Sequence, residues 1–127
     1  MITQLSVFLQ NEAGRLEEMT AAIAEAGVNI SALCVAETAE YGVMRMIVSD
    51  TAKAVEALRE KGFTTKLTDV ICVETPDVPG ELNTLLSKLA AEKINVSYMY
   101  GYSDEGTAKL ILKVSDPEKA GRLLQNS

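Results

Sequence analysis

Histidine is absent from this chain of 127 residues. With it go the commonest general base and the commonest metal ligand. Tryptophan is absent too, and four Tyr and two Phe give little aromatic surface for stacking bases. Basic residues are in deficit: 12 Lys plus Arg against 18 Asp plus Glu leave a net charge of −6. That field repels phosphate backbones and anionic lipid surfaces, so neither nucleic acid nor membrane is expected as a partner. No apolar run approaches the roughly 18 residues of a spanning helix. Met1 leads straight into a strand-like pattern without a basic leader, so the expected location is cytoplasmic. Cys34 and Cys72 are isolated, with no C-x-x-C pair. In a reducing compartment they read as small buried hydrophobes, a disulfide or reactive thiol being the alternatives. There is no Walker-type glycine loop and no G-x-S-x-G. Glu17, Glu18 and Glu25 read as solvated helix residues. No catalytic residue, metal or cofactor is therefore assigned, and an enzyme is not expected.

What the chain does contain is a repeat. Shifted by 66 residues, Gly14-Arg15-Leu16 falls on Gly80-Glu81-Leu82 and Val28-Asn29-Ile30-Ser31 on Ile94-Asn95-Val96-Ser97. Val48-Ser49-Asp50 falls on Val114-Ser115-Asp116, and Lys53-Ala54 on Lys119-Ala120. Four matches in one register mark a duplication. Each half holds only about 63 residues, too few to bury a comfortable core alone, so the halves are expected to share an interface.

Periodicity gives the elements. Leu5, Val7 and Leu9 alternate as in a strand, and Leu16, Met19, Ile23 and Ala26 then follow a helical stripe that Gly27 ends. Residues 28–36 and 43–48 read as strands joined through Glu40-Tyr41-Gly42. Asp50 caps a helix with Val55 and Leu58 inward and Gly62 at its end, and residues 63–70 form a fourth strand. In the second copy Ile71 and Val73 open a strand, and Leu82, Leu85, Leu86 and Leu89 form a helical stripe. Residues 94–102 and 107–114 are strands, and Asp116-Pro117 starts the last helix with proline at N1. The expected architecture is α+β: two tandem ferredoxin-like βαββαβ units, antiparallel sheets side by side, helices on one face. Residues 1–70 form the first unit and 71–127 the second, which lacks a counterpart of residues 62–70.

Two loops stand out, Asn11-Glu12-Ala13-Gly14-Arg15-Leu16 and Asp77-Val78-Pro79-Gly80-Glu81-Leu82. Each puts glycine where a helix begins, and free N–H groups and the positive dipole end attract an anion there. Asn11 and Asp77 could instead be plain helix caps. Asn29 and Asn95 open the second strand of each copy, fifteen residues after each glycine. Asparagine is a poor strand residue, and its amide both donates and accepts. A turn role is the alternative.

The pattern Asn/Asp-x-x-Gly-x-Leu followed by Val/Ile-Asn-Ile/Val resembles the ACT domain family, across the whole chain and twice over. The resemblance implies a regulatory βαββαβ module that binds amino acids where paired units meet. It implies one site from Asn11, Gly14, Arg15 and Leu16 with Asn95, and another from Asp77, Gly80, Glu81 and Leu82 with Asn29. Leu9 and Thr75 stand where some members carry histidine, and Ala13 where Pro79 matches a frequent proline. Asp77 replaces asparagine, so the two sites are unequal. Tyr98, Tyr100 and Tyr102 alternate along one strand face, as core, subunit interface or pocket wall. Arg15 either pairs with a carboxylate or lies on an exposed helix turn. The function expected is a non-catalytic regulatory protein, a homodimer that binds an amino acid and passes its output to a protein partner. A structural module without a metabolite is the alternative, and a small enzyme on this scaffold the third reading.

Overall fold

The computed structural model describes residues 1–10, 12–37 and 41–125. In chain order the elements are β1 (Ile2–Gln10), α1 (Arg15–Glu25), β2 (Ile30–Glu37), β3 (Tyr41–Val48), α2 (Thr51–Glu60) and β4 (Thr64–Pro76). They continue with α3 (Glu81–Ala91), β5 (Val96–Asp104), β6 (Thr107–Val114) and α4 (Pro117–Gln125). Two compact units divide them: Thr3–Thr68, and Asp69–Ser127 together with Met1–Ile2. The α+β, ferredoxin-like expectation holds.

In the first unit the strand order is β2-β3-β1-β4, with β1–β3 and β2–β3 antiparallel. Period-two patterning puts Leu5, Val7 and Leu9 on the face that meets the helices, where Met19, Ile23, Ala54 and Leu58 complete a buried core. In the second unit the order is β4-β6-β5, again antiparallel. Ile71, Leu112 and Val114 pack there against Leu85, Leu89, Ala120 and Leu124. Each stripe follows the 3.6-residue helical period.

The residues repeated between copies fix the backbone. Ser49 and Ser115 accept hydrogen bonds through Oγ from the main-chain N–H of Asn29 and Asn95, both at 2.9 Å. Their own N–H groups donate back to the carbonyls of the same asparagines, again at 2.9 Å. Asp50 and Asp116 accept from Lys53 N–H and Lys119 N–H at 3.1 Å, which is helix N-capping. Ala54 and Ala120 are fully buried in their cores.

Four expectations are corrected. Tyr41 and Gly42 belong to β3, where they pair with Gln10 and Leu9, and do not form a turn; Glu40 lies outside the described residues. Cys72 is exposed and Cys34 half-buried, both as free thiols. Each points away from the helices, because its strand neighbour (Ile71 in one case, Leu33 in the other) takes the helix-facing position. Leu16 and Leu82, the first members of their helical stripes, are 44% and 45% exposed. The helices begin beyond the edge of the core there. Finally, Asn29 and Asn95 precede β2 and β5 instead of lying inside them.

Candidate functional site

Both strand-to-helix loops are built alike. Gly14 and Gly80 are the N-cap residues of α1 and α3, left-handed at φ 88° and 91°. An L-residue pays strain in that region, which is why glycine stands there twice. In each loop the residue after glycine donates its N–H to the carbonyl three residues back: Arg15 to Glu12 and Glu81 to Val78, both at 3.3 Å. Among the described residues no side chain caps either helix, and beyond the Arg15 and Glu81 N–H groups the first-turn N–H groups have no intrahelical partner. A Cβ placed on Gly14 or Gly80 would meet no atom of the described residues within 4 Å. Dihedral geometry alone therefore demands glycine, and the space above it is open.

Asn11 lies outside the described residues. Asp77 is exposed and caps nothing; its N–H donates to the Gly106 carbonyl at 2.8 Å. That carbonyl belongs to the two-residue turn Glu105-Gly106, both at positive φ (50° and 83°), which joins β5 to β6 in type I′ fashion. The hairpin tip thus anchors the start of the second loop.

Arg15 is engaged inside the first unit. Its Nη1 lies 2.8 Å from Glu18 Oε2 and its guanidinium 4.6 Å from the centroid of the Phe63 ring. Its Nε is buried without a hydrogen-bond partner. Glu81, the counterpart of Arg15, is half-buried at the start of α3.

Asn29 and Asn95 lie far from the loop of their own unit. Val96 is opposite Val114, whereas Asp104 is opposite Thr107, which also faces Pro76. Asn95 therefore sits at one end of β5 and the Asp77 loop at the other, about 26 Å apart at roughly 3.3 Å per residue. The first unit repeats this, with Ile30 opposite Val48 at one end and Gln10 opposite Tyr41 at the other. One unit alone cannot bring its loop and its asparagine to the same small ligand.

The second loop opens onto a cavity of about 410 Å³. Thr75, Pro76, Asp77 and Val78 form one side, with Leu82 from α3, Met99 to Ser103 from β5, and Ala108 and Leu110 from β6. Asp77, Leu82, Tyr100 and Tyr102 were named from sequence; Gly80 and Glu81 do not line it. Val78 was named only as part of its loop, and Met99, Gly101 and Leu110 were missed. One signal was available, since glycine inside a strand often marks close backbone approach. A Cβ on Gly101 would collide with the Lys109 carbonyl oxygen and stand 2.7 Å from Leu110 Cδ2. Tyr98, Tyr100 and Tyr102 alternate opposite Lys113, Ile111 and Lys109, on the face away from the helices. Among the described residues, no group of three or more Cys, Asp or Glu is placed to hold a metal ion. Nor is any described helix long and apolar enough to cross a membrane.

The pattern of the ACT domain pair matches residues 1–126, and the chain belongs to that family. Among solved structures it is similar to protein BT0572 from Bacteroides thetaiotaomicron, at 40% identity and TM-score 0.94. That match covers 98% of this chain and 87% of the other. It is also similar to the regulatory subunit of aspartate kinase from Thermus thermophilus in its ligand-free form, at 19% identity and TM-score 0.73, covering 98% and 91%. The Thermus flavus regulatory subunit of the same enzyme gives 17% identity and TM-score 0.70, covering 98% and 90%. At those identities the two kinase subunits speak for the fold alone. No curated protein matches the chain.

Proposed function

We propose that this protein is a non-catalytic, cytoplasmic regulator that binds a free amino acid through its two glycine loops and signals to a protein partner. The observation that carries this reading is the repeated left-handed glycine at a helix start that no described side chain caps, with open space above it among the described residues. Such a start offers N–H groups and a positive dipole end to a carboxylate. In the second copy the same loop borders a cavity of ligand size. Regulatory subunits of aspartate kinase share the fold, which is consistent with a regulatory role here.

Because the loop and the asparagine of one unit stand at opposite ends of its strands, a ligand that touches both must take them from two units. We therefore keep the pairing of Asn11, Gly14, Arg15 and Leu16 with Asn95, and of Asp77, Gly80, Glu81 and Leu82 with Asn29. The copies supplying them are residues 1–70 and 71–127. A symmetric homodimer is part of the same reading, with the outward Tyr98-Tyr100-Tyr102 face as its contact.

The serine clamps on Asn29 and Asn95 favour a second reading, in which the repeated residues serve architecture only and no metabolite binds. A thermal-shift screen of the full chain against the twenty amino acids separates the two. A ligand at a hundred times its Kd should stabilise the fold by about 2.7 kcal/mol. A flat screen would favour the architectural reading.

A further inference from the structure

We infer that the second unit's cavity receives the side chain of an amino acid with a large apolar side chain, of the leucine, methionine or phenylalanine class. The inference rests on the amino-acid reading above and adds which class the second loop selects. The cavity wall is carbon-rich: Pro76, Val78, Leu82, Met99 and Leu110 meet around it. Among the described residues Asp77 is the one carboxylate in that wall, and no Lys or Arg lines it. An acidic ligand side chain would meet a like charge there and find no cation. The ammonium group of any amino acid would find in Asp77 a partner of opposite charge, at the mouth and exposed. The ligand's carboxylate would then turn to the uncapped start of α3, where Leu82 is both second helical residue and part of the cavity wall.

Gly101 makes the space possible. Its lack of a side chain lets β5 lie against the Lys109 carbonyl and the Leu110 side chain, leaving the helix-facing side of the strand bare. The first copy fills the matching positions differently. Val35 stands for Gly101, Glu12 for Val78 and Cys34 for Tyr100. A carboxylate at position 12 would oppose an apolar side chain, so the two loops do not select the same ligand.

The test is calorimetric titration of the full chain with leucine, methionine, phenylalanine, glycine and aspartate, each also titrated into Val78→Glu, Leu82→Gln and Gly80→Val. The expected result is binding of at least one apolar amino acid at least tenfold tighter than glycine or aspartate. Val78→Glu and Leu82→Gln should each weaken it tenfold or more while melting and circular dichroism stay unchanged. Both side chains are exposed in the free protein, and should Val78→Glu not fold, Leu82→Gln carries the test. Glycine or aspartate binding as tightly as leucine, in a manner lost in Gly80→Val, would overturn the selectivity and leave the amino-acid reading standing. Apolar binding indifferent to the Val78 and Leu82 changes would also overturn it. Absence of binding by all five would sink the inference together with the reading beneath it.

Discussion

The two copies agree where the backbone must be fixed and differ where a ligand could be recognised. Both keep the serine that clamps the asparagine main chain, the aspartate that caps the second helix and the alanine buried beneath it. Both keep the left-handed glycine. Around the loops they diverge. In the first copy Arg15 lies over Phe63 and binds Glu18, tying the start of α1 to the residue before β4. In the second, position 81 carries glutamate, and an apolar cavity opens beside the loop. Duplication preserved the scaffold, while the surroundings of the two loops diverged.

The largest effects should be common to both copies. Ile23 and Leu89 occupy the same position of the repeat, 1% exposed in each case. Ile23→Ala and Leu89→Ala should each cost about 3 kcal/mol in urea unfolding, within the usual range for deleting buried branched side chains. Equal costs support equivalent cores; a loss under about 1 kcal/mol in one would break the equivalence.

Next come the glycines, where the copies should separate. Gly14→Val and Gly80→Val force a branched residue into the left-handed region, at roughly 1–2 kcal/mol of strain. Because no atom crowds either position, both variants should still fold. Each should lose ligand at its own loop only, read calorimetrically as loss of binding in the variant of that loop and not in the other. Unchanged affinity and stoichiometry in both variants would move the site elsewhere.

A smaller difference lies at the helix ends. Gly27 follows α1 at φ 75°, whereas its counterpart Lys93 holds φ 57° without glycine's freedom. Lys93→Gly should therefore raise stability by about 1 kcal/mol, and Gly27→Lys should lower it by a similar amount. Urea midpoints would show both, and a destabilised Lys93→Gly would mean the lysine side chain contributes more than its backbone costs.

Much of this was legible in the sequence. The offset of 66 residues exposed the duplication, and the stripes through Met19-Ile23 and Leu85-Leu89 located the helices that bury them. What periodicity cannot show is where a helix outruns its core. Leu16 and Leu82 fit their stripes and still face outward. Nor can it tell which of two adjacent apolar residues in a continuous strand turns inward, so Cys72 was expected to be buried beside Ile71. The asparagines were legible as odd strand residues, but the serines that hold their main chains act across the sheet, 20 positions away. The cavity was hidden for a similar reason. Val78, Met99, Gly101 and Leu110 come from three separate segments, and of the three strand residues only Gly101 carried a local sign.

In the proposed cross-copy assembly a ligand takes its loop from one copy and its asparagine from the other. A double-mutant cycle on ligand affinity tests it, pairing Asp77→Ala first with Asn29→Ala and then with Asn95→Ala. Removing a hydrogen bond to a charged ligand group costs about 1.5–3 kcal/mol, so each relevant single change should weaken binding roughly ten- to a hundredfold. Cross-copy assembly predicts a coupling of about 1 kcal/mol or more between Asp77 and Asn29, and additivity within about 0.5 kcal/mol between Asp77 and Asn95. Strong coupling of Asp77 to Asn95, with none to Asn29, would contradict it.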